Sequence, residues 1–235
     1  MNQAATLMIL LVIGTVLALL VYIPSFWVRR VMIKHSQELA GLPGTGGELA
    51  NHLVQRFKLD GVKVEETQPY QDHFDPSTPA VRLGPNNFNG KSLTAVAVAA
   101  HEVGHAIQFH RREKIFELRK LYLPKAMMLS QAGVAIMLAF PIIGIVMRSP
   151  LAIGVVIGLS LLLQLAGAFS YLIILPEEWD ASFNKALPIL IEGDYIESEQ
   201  IPAIRNILRA AALTYFAAAL ANVLNIGRWL MILRR

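Results

Sequence analysis

Long stretches without a single charge constrain this chain more than any other feature. Residues 4–28, 126–147 and 151–175 contain no Asp, Glu, Lys or Arg. Each exceeds the roughly 20 residues that a helix needs to cross the hydrocarbon core of a bilayer. A fourth run, 210–226, is shorter and rich in Ala. Charged residues make up 16% of the chain, against about 25% in a soluble domain, so the chain reads as a mainly α membrane protein with about four transmembrane helices. The expected layout is a first span at 4–28, a polar region at 29–125, a hairpin of two spans at 126–175, a second polar region at 176–209, and a last span with a basic end at 210–235.

The basic residues give this layout a direction. Arg29, Arg30 and Lys34 follow the first run, and Arg111, Arg112, Lys114, Arg119, Lys120 and Lys125 precede the second, whereas the hairpin tip has only Arg148. The positive-inside rule therefore predicts that both polar regions face the cytoplasm, in a multi-pass plasma-membrane protein. The opening MNQ has no basic side chain, as a cleaved signal would, and the first run reads as an anchor. The net charge of +4 is accounted for by these flanks. The expected partners are the lipid bilayer and no nucleic acid.

In the first polar region, Thr45 and Glu48 have the spacing of a helix capping box, with Leu49, Leu53, Val54 and Phe57 on one face and Asp60-Gly61 as the stop. Val62–Glu66 and Ala80–Leu83 alternate as short strands do, with a polar loop between them. A helix from about Ser92 to Arg112 follows. The predicted cytoplasmic part is an α+β domain with a short β-hairpin or small sheet.

That last helix contains HEVGH. His101 and His105 lie four apart, so they share a helix face and can bind one metal ion. With no cysteine in the chain, any metal must be held by His, Asp or Glu. Glu102 is turned about 100° away, which suits a general base acting on a zinc-activated water better than a ligand. The preceding LTAVAVAA is small and apolar, so the motif belongs to a buried helix. Gly104 leaves room for a strand or substrate beside the metal. A metzincin reading fails because Gln108 and Arg111 stand where Gly and His would be required. His110 falls on another face. Glu113, Glu117 and the cluster Glu177, Glu178 and Asp180 are candidates for the third ligand. The cluster is favoured because it reads as the start of a helix at the membrane surface, where three carboxylates call for a compensating charge.

The segments TGGELANHLVQRF, VKVEE, DHFDP, AVRL, AVAVAAHEVGHAIQ, LPEEWDAS and AALTYFAAAL together resemble the bacterial membrane neutral zinc metallopeptidases of the YugP type, over nearly the whole chain. The resemblance implies a cytoplasm-facing, membrane-anchored Zn²⁺ peptidase of gluzincin type with a zincin-like catalytic domain, acting on protein or peptide substrates; the heavy anchoring suggests membrane proteins among them. Related HtpX and CAAX-processing peptidases take the third ligand from a Glu followed by two further residues and then Ala and Asp. Aligned on Ala181, that Glu is Glu178, with Glu177 as the alternative. Ser182 stands where the Asp would be, leaving Asp180 or Ser182 to orient a ligand histidine, with Asp180 preferred.

Asp72, His73 and Asp75 form a further candidate site, with His73 as an oxyanion donor beside an edge strand that could align a peptide. An Asx turn at Asp75-Pro76 is the competing role. Tyr215 is another candidate donor, or an interfacial Tyr. Two alternatives keep the zinc without proteolysis: an ester hydrolase, or a scaffold in which zinc ties the polar regions together.

Overall fold

The computed structural model describes residues 3–147 and 149–223. In chain order they form α1 (Gln3–Lys34), α2 (Gly46–Arg56), β1 (Lys63–Glu66), β2 (His73–Asp75), β3 (Ala80–Leu83), α3 (Pro85–Phe88), α4 (Leu93–His110), α5 (Lys114–Met147), α6 (Pro150–Ser170), α7 (Leu175–Trp179), α8 (Leu187–Glu192), α9 (Ile201–Ala212) and α10 (Thr214–Val223). A 3₁₀ turn, Tyr171–Ile174, joins α6 to α7, a π-helical stretch, Asp180–Ala186, joins α7 to α8, and Ser198–Gln200 is a second 3₁₀ turn. The described residues divide into two compact units: 28–120 with 174–214, and the remainder.

Three helical stretches among the described residues, Gly14–Lys34, Lys114–Ala139 and Leu151–Glu192, are long and apolar enough to cross a membrane. The third exceeds any single span. Its uncharged part is α6, since the buried carboxylates Glu177 and Glu178 follow. The expected fourth span, 210–226, is described only as far as Val223. Ala210–Ala212 end α9, an amphipathic helix that buries Ile204, Ile207 and Leu208 in the first-named unit. Only α10 follows, and the rest of that prediction, from Leu224 onward, lies outside the described residues.

In the apolar unit, α5 and α6 meet through small residues. A Cβ added at Gly133 would stand 2.7 Å from the Ser160 carbonyl oxygen, and one at Gly167 2.8 Å from the Ser130 nitrogen. Helices in lipid associate by such close packing, with polar side chains satisfied internally. Here the Ser160 hydroxyl donates to the Gly133 carbonyl at 2.8 Å, and Gln164 Nε2 donates to Ser160 Oγ at 3.2 Å.

The polar unit is built around α4. Ser92 caps it by accepting from the Ala95 amide at 3.1 Å, and every residue from Leu93 to Gln108 is buried. The capping box of α2 forms, with Glu48 Oε2 accepting from the Thr45 amide and Thr45 Oγ1 from the Glu48 amide. Its buried face, however, is Gly46, Gly47, Ala50 and Leu53, not the predicted Leu49, Val54 and Phe57. The reason is proximity: a Cβ on Gly47 would sit 2.9 Å from the Phe88 carbonyl oxygen, so only the small residues fit. The helix also stops earlier than Asp60-Gly61, at Arg56, with Lys58 in the left-handed region.

The sheet has the order β1-β3-β2, with β1 parallel and β2 antiparallel to β3. The expected polar loop thus contains a strand, and the hairpin pairs β2 with β3 instead of β1 with β3. Phe74 in β2 supplies the apolar signal, packing against Phe109 and Phe116 with ring centroids 5.4 and 6.4 Å away.

Candidate metal centre

Three buried side chains converge inside the polar unit: His101 and His105 from α4, and Glu178 from α7. Glu178 Oε2 lies 3.3 Å from His101 Nε2 and 3.2 Å from His105 Nε2. Ligands about 2.0–2.1 Å from a tetrahedral zinc ion stand about 3.3 Å apart, so both spacings are those of tetrahedral edges meeting at Glu178, with all three ligand atoms within 4.8 Å of one another.

The protons of the two rings follow from their neighbours. Ser182 Oγ donates to the Leu208 carbonyl at 3.1 Å, so its contact with His101 Nδ1 at 3.0 Å is one it accepts. His101 therefore carries its proton on Nδ1. Gln108 Nε2 donates to the Glu177 carbonyl at 3.0 Å and to Asp180 Oδ2 at 2.8 Å. Both are obligate acceptors, which fixes the amide orientation and leaves Gln108 Oε1 to accept from His105 Nδ1 at 2.9 Å. With both Nδ1 atoms protonated, both neutral rings point a lone pair at the Glu178 carboxylate. Three acceptors facing one another inside a protein need a cation between them: a metal ion or, without one, a proton on His105.

The electrostatics carry the same sign. Burial works against the charged form of His105, yet the Glu178 and Glu177 carboxylates outweigh it and hold the ring up to about 10. Burial likewise opposes the Glu178 carboxylate, but the two imidazoles bring it below the usual carboxylate range. Glu178 Oε1 and Glu177 Oε2 are buried with no hydrogen-bond partner among the described residues. Arg119 Nη1 stands 3.7 Å from Glu178 Oε1, an ion-pair distance without a hydrogen bond, and 3.4 Å from Glu177 Oε1. The orphaned oxygens, the donor set and the spacing all fit a bound Zn²⁺.

Glu102 is buried beside the ligands. Burial raises its carboxyl above the ordinary value, and the charges of Glu178 and Asp72 add to that while His101 and His105 oppose it. Its carboxyl makes no hydrogen bond among the described residues, so it is uncommitted.

Gly104 admits neither a strand nor a substrate. A Cβ there would stand 2.7 Å from the Ala181 carbonyl oxygen and 3.2 Å from the Ala181 Cα, so its lack of a side chain lets the π-helical stretch lie against α4. Such stretches are rare and concentrate at functional sites. Glu177 and Glu178 do lie in the first turn of a helix, as the sequence suggested, but that helix does not start free. α7 continues directly from a 3₁₀ turn, with Ile174 in helical conformation and no side-chain cap, so there is no free helix N-terminus to attract them. Imidazole, guanidinium and ammonium groups stand around them instead.

Of the remaining candidates, Glu177 faces the Nδ1 side of His105, at 3.4 Å, away from the converging lone pairs. Asp180 touches neither histidine. It bonds to Gln108, to Asn184 at 2.9 Å and to Lys185, which also reaches Glu113 at 2.9 Å. Burial tends to raise the Asp180 carboxyl, but these donors, Lys185 foremost, bring it below its ordinary value. Ser182, not the preferred Asp180, contacts a ligand ring directly. Glu117 pairs with Lys120 at 2.8 Å, and His110 is exposed.

His73 Nδ1 donates to the Gln71 carbonyl at 2.7 Å, so the ring can donate from Nε2 only when protonated. Asp72 Oδ1 accepts from the Gly84 amide at 2.8 Å. Asp75 forms the Asx turn, accepting from the Ser77 amide and hydroxyl, from Thr78 and from Arg82. Tyr215 belongs to the other unit. Gln108 is the residue that motif reasoning missed. Its signal was a polar side chain at i+3 from His105 on an otherwise apolar helix.

Comparison with known proteins agrees with this geometry. The family described as "Putative neutral zinc metallopeptidase" matches residues 8–234. The chain is 33% identical over 213 residues to the "Putative membrane protease YugP" of Bacillus subtilis (strain 168), covering 88% of this chain and 91% of that protein. No solved structure matches.

Proposed function

The chain belongs to the neutral zinc metallopeptidase family, and from that premise we propose that it is a membrane-anchored endopeptidase whose active site faces the cytoplasm. His101, His105 and Glu178 would hold the zinc ion. Bound there, zinc supplies Lewis acidity, which makes water a nucleophile near neutral pH and polarises a carbonyl. Glu102 takes the proton of the attacking water and returns it to the departing amine. Its missing hydrogen bond supports that role, because a base engaged elsewhere is a poor one. Only three ligands converge among the described residues. A structural zinc site would close with four, whereas a catalytic site keeps a position open.

Ser182 holds His101 in the tautomer that binds metal. The outer edge of β2 is unpaired in the sheet order, and an extended peptide could add to it as a further strand. The cytoplasmic assignment rests on the basic flanks of the apolar runs, and the long uncharged helices support membrane or misfolded proteins as substrates.

The observation that carries the proposal is Glu178 Oε2 standing 3.3 and 3.2 Å from the Nε2 atoms of His101 and His105. The test is to purify the protein and Glu102→Gln, measure bound zinc, and incubate both with a denatured protein substrate. We expect stoichiometric zinc in both and cleavage by the wild type alone. Equal cleavage by both, or no zinc in the wild type, would overturn the proposal.

A further inference from the structure

The two histidines of the centre are supported unequally. His101 leans on one hydroxyl, and that hydroxyl ends on a backbone carbonyl. Behind His105 stands a longer chain: Gln108 Oε1 accepts from Nδ1, Gln108 Nε2 donates to Asp180, and Asp180 is held by Lys185, which bridges on to Glu113. Gln108 is fully buried and Lys185 nearly so. A buried amide and a buried ammonium are costly unless satisfied, so this network is a committed part of the fold.

Building on the zinc proposal, we propose that Gln108 is a positioning residue for the metal centre and that Asp180 acts on the site only through it. The physical reason is orientation. An unconstrained amide can present either its oxygen or its nitrogen to a histidine, and the two ends call for opposite tautomers. Presenting the nitrogen would draw the lone pair of His105 to Nδ1 and put a proton on Nε2, facing Glu178. Asp180 and the Glu177 carbonyl both demand a donor, so they turn the nitrogen away from the ring. The amide oxygen is left for Nδ1–H, and Nε2 is left free for the metal. Lys185 stations Asp180, completing a relay from α8's preceding π-helical stretch to α4. His101 needs no relay, since the Leu208 carbonyl takes the Ser182 proton and leaves the hydroxyl oxygen to accept from Nδ1–H.

Outer partners of metal-binding histidines typically change metal affinity by about 10–100-fold. The experiment measures zinc dissociation constants by chelator competition on the full-length protein in detergent, for the wild type, Gln108→Met, Asp180→Ala and the double variant. Thermal unfolding of the zinc-free proteins reports on folding. We expect Gln108→Met to bind zinc about 10–100-fold more weakly. Asp180→Ala should weaken binding in the wild-type background and add nothing when Gln108 is already Met. Binding by Gln108→Met within about two-fold of the wild type, well inside the range for such partners, would overturn the role. Additive losses would overturn the relay, because a purely structural Asp180 contributes independently of Gln108. If Gln108→Met fails to fold, Asp180→Ala decides alone, and unchanged affinity refutes the relay. A wild type without zinc overturns the zinc proposal itself. A zinc-loaded wild type with indifferent variants overturns only this one.

Discussion

Gly104→Ala should damage the metal centre without unfolding the protein. The new Cβ would stand 2.7 Å from the Ala181 carbonyl oxygen, where ordinary contact begins at 3.4 Å. The opposing atoms are backbone, so no rotamer change relieves the overlap. The π-helical stretch must retreat by about 0.7 Å, the difference between those two distances. Metal–ligand distances tolerate about ±0.2 Å. Glu178 lies three residues before Ala181 and Ser182 one after it, so the third ligand and the partner of His101 move together. Against this, Ala in a helix interior is favoured over Gly by about 1 kcal/mol, while overpacking costs about 1–3 kcal/mol. The net loss of stability is therefore about 0–2 kcal/mol, a shift of a few degrees in the unfolding midpoint. Zinc affinity should fall about 10–100-fold. Chelator competition and thermal unfolding in detergent read the two quantities separately, and Gly41→Ala, whose Cβ meets nothing within 4 Å, is the control. Unchanged zinc affinity in Gly104→Ala would refute the claim that contact at this glycine sets the ligand geometry.

Two further outcomes test the units separately. The Ser77 and Thr78 hydroxyls, with the Ser77 amide and Arg82 behind them, hold the Asp75 carboxyl well below its ordinary value. That stabilisation is present above the unfolded pKa of about 3.9 and is lost as pH falls through the folded value. The wild type should therefore lose stability below about pH 4, and Asp75→Asn should flatten that limb of a thermal midpoint profile; parallel curves would remove Asp75 as its cause. In the apolar unit, Gly133→Leu places a side chain against the Ser160 carbonyl and Gln164 and should destabilise the α5–α6 pair by at least the ~1–3 kcal/mol of an overpacked core. A detergent unfolding midpoint equal to the wild type's would show that the two helices do not depend on this contact.

The parts of the molecule legible in the sequence are those set by local periodicity or by one strong spacing. The capping box at Thr45 and Glu48, the buried helix around HEVGH and the three long apolar stretches need no tertiary information. What escaped was decided by contacts distant in sequence. Nothing in GGELANHLVQR says that its glycines, rather than Leu49 or Phe57, face inward; the neighbouring α3 backbone decides it. HFD is too short to alternate, and becomes a strand because Phe74 finds Phe109 and Phe116. The expected span at 210–226 begins inside the end of α9, because Ala is equally at home in lipid and in a tight helix contact. Glu177 and Glu178 fall in the first turn of α7, where the sequence put them, but the imidazole and guanidinium groups that face them come from segments distant in sequence.

Charge balance connects these details to the chemistry. Glu102, Glu177 and Glu178 are all buried around one point, and Arg119 is the cation paired with two of them. With both imidazoles neutral and all three carboxylates ionised, two negative charges remain uncompensated among these groups. Buried charge at that level is not sustained without a partner. A proton on His105 would offset one of the two, whereas a divalent ion at the three converging ligand atoms offsets both. It also allows His105 to stay neutral, as a zinc ligand must be. The first glutamate of the LPEEWDAS segment, Glu177, thus has a place that needs no direct bond to the metal. Glu177 adds negative charge on the far side of His105, strengthening that ring's donation to the cation, while Arg119 restrains how far the surplus extends.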